Sequence, residues 1–509
     1  MPALQVEIVP WGPDTSRARR EAAAHGRVLS VTPLLPEDPD AEPDRVRATV
    51  YDYEQRRALL LDYPVDGGEP EVTETVKQPL PGDGEREAAL AAVEADPELG
   101  AAVRERRLVP YRAMPPLVLD ELPDGTVDRL VTVGLRPEDH GPGHEIVGVR
   151  LPDGEIVRYE GGAPPRALAA RATCGPANAN QSTTSDADGA ALVTVSSGGE
   201  RLWRFVAVRP AASSGTNGSG IELRAVYYKD TRVFRRAHVP ILNVRYDGDA
   251  CGPYRDWQNE EGHLQADGTD PAPGFRLCTA PATTVLDTGR DRGNFRGTAV
   301  YVDGEEVVLV NELEAGWYRY VSEWRFEADG TIRPRFGFGA VRSSCVCNVH
   351  HHHAYWRFDF DVNGAANDEV REYNDPALDG HSSKWHTLRH EIRRRRAVGH
   401  TRRWQVRDRG TGKGYTLIPG NGDGRLDSFG VGDFWALRYR SSQIDDGVGF
   451  TTDPSEARAH LDRFVNGESI VGRNVVVWYA AHFAHDVNAD ERRHGHGHIV
   501  GPRLEPVGL

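Results

Sequence analysis

Residues 348–364 read NVHHHHAYWRFDFDVNG. The part after the histidines, AYWRFDFDVNG, has the pattern of a β-strand that runs into a turn. On a strand successive side chains point to opposite faces, so His350 and His352 share one face and His351 and His353 the other. Two imidazoles two residues apart on one face have about the separation needed to hold one metal ion. A solvated loop or a purification tag would explain four consecutive histidines equally simply, but a position in mid-chain between two strands argues for a metal site.

The sequence on both sides of this stretch is rich in strands. From Leu202 onward RLWRFVAVRP, GIELRAVYYKD, FRRAHVPILNVRYDG, GTAVYVDGEEVVLVNEL, WYRYVSEWRFEADGTIRPRFGFGAV, RRWQVRDRGTGKGYTLIPG and NVVVWYAAHFAH all carry strand patterning. Helical spacing is scarce there, and no fixed-period repeat appears. The region 201–509 therefore predicts a large antiparallel β-sandwich. Ahead of it, 39–163 combines strand pairs with helical spacing in DGEREAALAAVEADPELGAAVRERRL, which predicts a small α+β domain. Residues 164–200 are small, polar and Gly/Ala/Ser-rich, the composition of a linker, and 1–38 reads as an N-terminal extension. The fold class is mainly β.

The 509 residues include 76 Asp+Glu against 61 Lys+Arg, a net charge of −15, with 5 Cys and 19 His. An acidic chain is poorly suited to nonspecific nucleic-acid binding, and five cysteines in this length do not make a disulfide scaffold. The sequence shows no apolar run long enough for a membrane helix and no basic-then-apolar start, so the expectation is a cytoplasmic protein with neither nucleic acid nor membrane as partner. The histidines crowd into 350–353 and 482–498. A third ligand to accompany His350 and His352 is therefore sought in the second group, at His482, His485, His494, His496 or His498. In strand phase His482 and His485 lie on opposite faces, so only one of them joins a given site.

These residues resemble the copper-containing primary amine oxidases, quinone enzymes with a large β-sandwich catalytic domain. The family's copper motif is H-x-H, then an Arg five residues after the second His and an Asp two later. Counting back from Arg357 and Asp359 places the ligands at His350 and His352. The third family ligand lies seven residues after the Trp of a V-x-W or V-V-W strand and precedes an acidic pair; Trp478 plus seven is His485, and Asp490-Glu491 follows. LWRFVAV, FRRAHVPILNVRYDG, YRDWQN at 254–259, RRWQVRDRGTGKGYTLIPG and the closing IVGPRLEPVGL resemble further family segments in order. The similarity covers about 200–509, and 40–160 looks like the small domain that precedes it in these enzymes.

The resemblance implies copper, O2, a small-molecule or peptide substrate and a homodimer. It also implies topaquinone, made from a tyrosine in an Asn-Tyr-Asp/Glu motif. EAGWYRYVSEWRFEADGTI puts Tyr318 at the precursor position and keeps Gly316, with Trp317 for Asn and Arg319 for the acid. The family base, a carboxylate that takes the substrate's α-proton, should fall five residues after Trp257. Gly262 stands there, so Glu260 or Glu261 is the candidate. Tyr246 falls near a family tyrosine that hydrogen-bonds the quinone, Asp359 aligns with a peripheral cation site, and Cys251 with Cys278 matches a family disulfide. Cys345 and Cys347, a C-x-C before the histidine strand, are either additional metal thiolates or a buried or redox pair. His351 and His353 exceed what the family needs.

Three readings follow. The preferred one is a copper-dependent oxidoreductase of this fold that uses O2 without standard topaquinone chemistry, because the residues around Tyr318 and the base position are altered. The second is a topaquinone primary-amine oxidase, and the third a metal-binding relative without catalysis.

Overall fold

A computed structural model of the chain describes all residues except 1–2, 35, 37–40, 76–77, 114, 124–126, 139–144, 159–188, 248–250, 342, 344, 397–398, 425, 452 and 487–497. Two large sheets dominate it. The first has ten strands in the order Leu4–Pro10, Ala190–Ser197, Glu200–Val208, Glu222–Tyr228, Thr231–Tyr246, His350–Phe360, Val475–His485, Phe434–Arg438 and Ile392–Arg394, with Pro253–Arg255 alongside Thr231–Tyr246. The second has twelve strands and contains Glu306–Ala315, Tyr318–Glu327 and Ile332–Ala340 as consecutive neighbours. Nearly all pairings are antiparallel, the exception among the large sheets being Phe275–Cys278 with Thr298–Asp303. The mainly β sandwich expected from the strand patterning is what the chain forms.

The core lies between these sheets, as the alternation along the strands requires. Ala354, Trp356, Phe358 and Phe360 from the histidine strand and Val475, Val477, Tyr479, Ala481 and Phe483 from its neighbour enter the same buried cluster as Tyr320, Trp324, Phe326, Phe336 and Phe338 of the opposite sheet. Phe205 stacks on Phe326 across the gap at 4.4 Å between ring centres. The odd-numbered set of the histidine strand faces the other way, where Tyr355 packs with Trp435, Trp478 and Ala480 in a second cluster. Thr231–Tyr246 tolerates Pro240 because its pairing with the histidine strand shifts register between His238 and Ile241, where a missing N–H costs no ladder bond.

The N-terminal third differs from the expected single α+β domain. Two separate sheets are present, one of Arg27–Pro33, Arg45–Asp52, Arg57–Pro64 and Glu71–Thr75, the other of strands between Leu108 and Arg158. Each has its own core: helix Ser16–Ala22 packs on the first through Ala18 and Ala22, and helix Asp83–Ala95 on the second through Ala89 and Val93. The extension therefore supplies a helix to the first unit, and its Leu4–Pro10 pairs with Ala190–Ser197 at the edge of the large sheet. Ala190–Ser197 had the composition of a linker but forms a strand; 164–188 lie outside the described residues.

The cysteines also correct the expected pairing. Cys251 bonds to Cys345, with Cα atoms 5.7 Å apart, and Cys278 is free. Strands Thr231–Tyr246 and His350–Phe360 are antiparallel with Tyr246 opposite His350, so the chain leaving one and the chain entering the other meet at the same end. Cys278 belongs to the other sheet. Cys347 is disulfide-bonded too, which withdraws both C-x-C sulfurs from metal binding.

Trp324 is 1% exposed and donates its indole N–H to the carbonyl of Ile221 at 3.3 Å, so it ties one sheet to the other. Trp324→Ala is expected to lower unfolding free energy by about 3–5 kcal/mol, the cost of an unfilled aromatic cavity, read from the shift of the denaturant midpoint.

Candidate metal centre

The centre forms at one end of the gap between the sheets. His350 is paired directly opposite Tyr246 on one side and His485 on the other, so three strands bring these residues into one row. His352 follows two residues on and points to the same face. Ring nitrogens of His350, His352 and His485 all lie within 4.8 Å of one another, and the three side chains are buried. His482, opposite His353, belongs to the other face. Asp490, Glu491, His494 and His496 lie outside the described residues.

The donor chemistry fits a copper or zinc ion. Burial holds His350 at a pKa of about 3, with the neighbouring His485 adding to the effect; burial and His498 do the same for His485, down to about 3. His352 is held well below the ordinary imidazole value, by burial first and by His350 next. All three are therefore neutral near pH 7, the form a metal requires. The Nδ1–H of His350 donates to the carbonyl of Asn348 at 2.6 Å, which directs the Nε2 lone pair into the cluster. Both nitrogens of His352 and the Nε2 of His485 are buried without a hydrogen-bond partner, a costly arrangement that a bound cation would relieve.

Tyr318 reaches the cluster from the opposite sheet. Its hydroxyl hydrogen-bonds His350 Nε2 and lies 2.9 Å from His485 Nδ1. The position comes from a tight hairpin: Ala315 pairs with Tyr318 across Gly316-Trp317, and Gly316 has φ 58°, a conformation that glycine adopts without strain. Alternation then separates Tyr318 from Arg319. Arg319 turns to the other face, where Asp291 (2.8 Å), Glu314 (3.2 Å) and the carbonyls of Gly316 and Tyr318 hold it. Trp317, in the hairpin, donates its indole N–H to the Tyr246 hydroxyl at 2.7 Å, and Tyr246 stacks on His350 at 4.9 Å. Burial raises the Tyr246 phenol well above its ordinary pKa.

The two glutamates expected near a base position are engaged elsewhere. Glu260 pairs with Arg112 of the preceding unit at 2.7 Å, and Glu261 with Arg209, with Asn311 donating to it at 3.2 Å. Burial raises the Glu260 carboxyl, and Arg112 opposes the rise. A carboxylate that sequence reasoning passed over does meet the site: Asp256, 1% exposed, accepts a hydrogen bond from the Tyr320 hydroxyl. Tyr320 lies parallel to Tyr318, 5.5 Å between ring centres and 12° between planes. Burial pushes Asp256 up to about 7, against the lowering effect of Tyr320. The signal was present in YRDWQN, but counting forward from Trp257 led away from the residue just before it. Asp359 lies on the opposite face from the cluster, 3.8 Å from Arg357, and burial raises its carboxyl to about 6.

No family model and no curated protein matches this sequence. Among solved structures the chain is similar to the copper-containing benzylamine oxidase of Hansenula polymorpha, at 13% identity over 99% of this chain and 93% of that one, with a TM-score of 0.54. It is also similar to lysyl oxidase of Pichia pastoris, at 12% identity over 94% and 85%, with a TM-score of 0.50. At such identities the likeness is one of fold, and the chain has the fold of the copper amine oxidases.

The cluster makes a direct demand on metal content. His350→Ala and His485→Ala are each expected to lose the equivalent of metal that the triad holds in the dialysed, copper-loaded protein, by elemental analysis; full retention in both would place that metal elsewhere.

Proposed function

We propose that this protein is a copper-dependent oxidoreductase that uses O2, with primary amines as the substrate class and Tyr318 as its redox-active side chain. The observation that carries the proposal is the Tyr318 hydroxyl on a buried cluster of three neutral histidines. His350, His352 and His485 would hold the copper, which supplies one-electron exchange with O2 beside a phenol. The overall reaction takes one amine, one O2 and one water to aldehyde, ammonia and hydrogen peroxide, which balances in atoms and electrons.

The residues of the chain divide the remaining work. Asp256 is the proposed base in place of Glu260 and Glu261: it is buried, near pH 7 it exists partly as carboxylate, and it sits beside the ring that stacks on Tyr318. Tyr320 is a positioning residue, because its O–H holds the Asp256 oxygen and favours the ionised form. Tyr246, fixed by Trp317 and stacked on His350, closes the other side and excludes water. Arg319 no longer argues against modification of Tyr318, since it faces a separate acidic cluster whose Glu314 is raised by burial to about 7. A second reading, direct metal chemistry on an unmodified Tyr318, is favoured by one observation: the Tyr318 hydroxyl is engaged by His350 and His485, the position of a phenol that would bind the metal directly.

Aerating the copper-loaded protein separates them. Conversion of Tyr318 to a quinone predicts a coloured protein, a strong visible band with phenylhydrazine and an altered mass for the Tyr318 peptide. An unchanged peptide and no adduct would leave the direct reading, and absence of peroxide formation with both amines and phenols would remove catalysis altogether.

The base assignment has its own signature. A carboxylate acts as base when ionised, so amine turnover is expected to rise with pH through about 7 and level off above it. Asp256→Asn is expected to lower turnover roughly 10²–10⁴-fold. Tyr320→Phe removes the donor that stabilises the carboxylate, so the acid limb of the pH–rate curve moves to higher pH; a limb that stays in place would exclude Tyr320 from this role.

A further inference from the structure

The reverse face of the histidine strand carries an arrangement that the proposed oxidase chemistry does not use. His482 donates from Nε2–H to the carbonyl of Gly432 at 2.8 Å, so in its neutral form the Nδ1 carries a lone pair. That Nδ1 is 2.7 Å from His353 Nδ1, which must then be the N–H donor of the pair. His353 Nε2 is left as a bare lone pair. It is fully buried, has no hydrogen-bond partner, and faces Asp427 Oδ2 at 3.6 Å. Asp427 is itself fixed, because its Oδ1 accepts the backbone N–H of Phe429 at 2.8 Å and of Gly430 at 2.7 Å, which leaves Oδ2 for another partner. A lone pair opposite a carboxylate oxygen is repulsive unless a cation lies between them.

A second imidazole converges on the same oxygen. His351 Nδ1 is 3.3 Å from Asp427 Oδ2, and its Nε2 is 3.4 Å from Asp247 Oδ1. Two donors bound to one ion at about 2.0–2.1 Å in tetrahedral geometry stand about 3.3–3.4 Å apart, close to both separations. The two imidazole donors themselves are more than 4.8 Å apart, wider than any pair in the triad, so an ion held by both needs His351 to move inward. His351, with 27% of its side chain exposed, has room to swing inward, and Asp427, at 20%, leaves a route for an ion.

We propose that His351, His353 and Asp427 form a second metal site, back to back with the triad across the histidine strand, that takes a divalent ion of the zinc or copper(II) class. Imidazole with one carboxylate selects such ions over magnesium or calcium, which prefer all-oxygen ligands. His482 acts from behind as a positioning residue, since its hydrogen bond sets the tautomer of His353. The site accounts for the two members of the HHHH run left over by the triad, and it stands whether or not Tyr318 is redox-active.

The test is equilibrium dialysis of metal-free full-length protein against Zn²⁺, followed by elemental analysis. Wild type is expected to bind two equivalents per chain. His351→Ala, a partly exposed position where folding is not at risk, and Asp427→Asn, which keeps an oxygen for the two backbone N–H groups, should each weaken one equivalent at least about tenfold and leave the other unchanged. His350→Ala should show the converse, so failure of the triad and failure of this site are told apart. One equivalent in wild type, or two of unaltered affinity in both His351→Ala and Asp427→Asn, would overturn the proposal; the latter result would place the second ion at other residues of the chain.

Discussion

The structure around the metal centre depends on the register of three antiparallel strands, with Tyr246, His350 and His485 set side by side. A slip of one residue in either pairing would send a whole set of side chains to the opposite face. That register is secured by the apolar residues further along the same strands. Trp356 and Phe358 on the histidine strand, and Val477, Tyr479 and Ala481 on its neighbour, can be buried against the second sheet only in one phase. The large core therefore fixes where the imidazoles point, and the imidazoles take up the end of the gap that aromatic packing leaves to them.

Closing the sandwich also changes the chemistry of the groups it encloses. The three imidazoles remain neutral because burial removes the water that would solvate their charge. The same burial brings Asp256 to about 7, where it exchanges a proton readily near neutral pH. Tyr318 comes from one sheet and the histidines from the other, so neither sheet alone contains the centre. Glu260 and Glu261, which the motif spacing offered as bases, instead neutralise Arg112 and Arg209 and join the centre to its surroundings.

Much of this was legible along the chain. Period-two alternation marks the strands, and it separates His350 and His352 from His351 and His353, and His485 from His482. What was misread followed from the limits of local information. Ala190–Ser197 shares the small, polar composition of the segment before it, yet it is paired on both sides, with Leu4–Pro10 and Glu200–Val208, and buries Ala191, Val193 and Val195, partners that no local stretch reveals. The N-terminal third looked like one domain because nothing local shows that neighbouring strand pairs belong to different sheets. Cys278 was paired with Cys251 by family analogy, whereas strand direction brings Cys345 to it.

By itself the sequence determined the class of fold, the faces of each strand and the residue types available for a metal, because these follow from alternation and composition. Only the tertiary structure decided which residues meet. Asp256 and Tyr320 are 64 positions apart, and Tyr318 and His485 are 167. Such contacts are set by how two sheets pack, and that packing is the joint result of many side chains rather than of any one motif. The physical reason is the same for charge: whether Arg319 perturbs the centre or Asp427 faces two imidazoles depends on the environment each side chain enters, which no local stretch of sequence specifies.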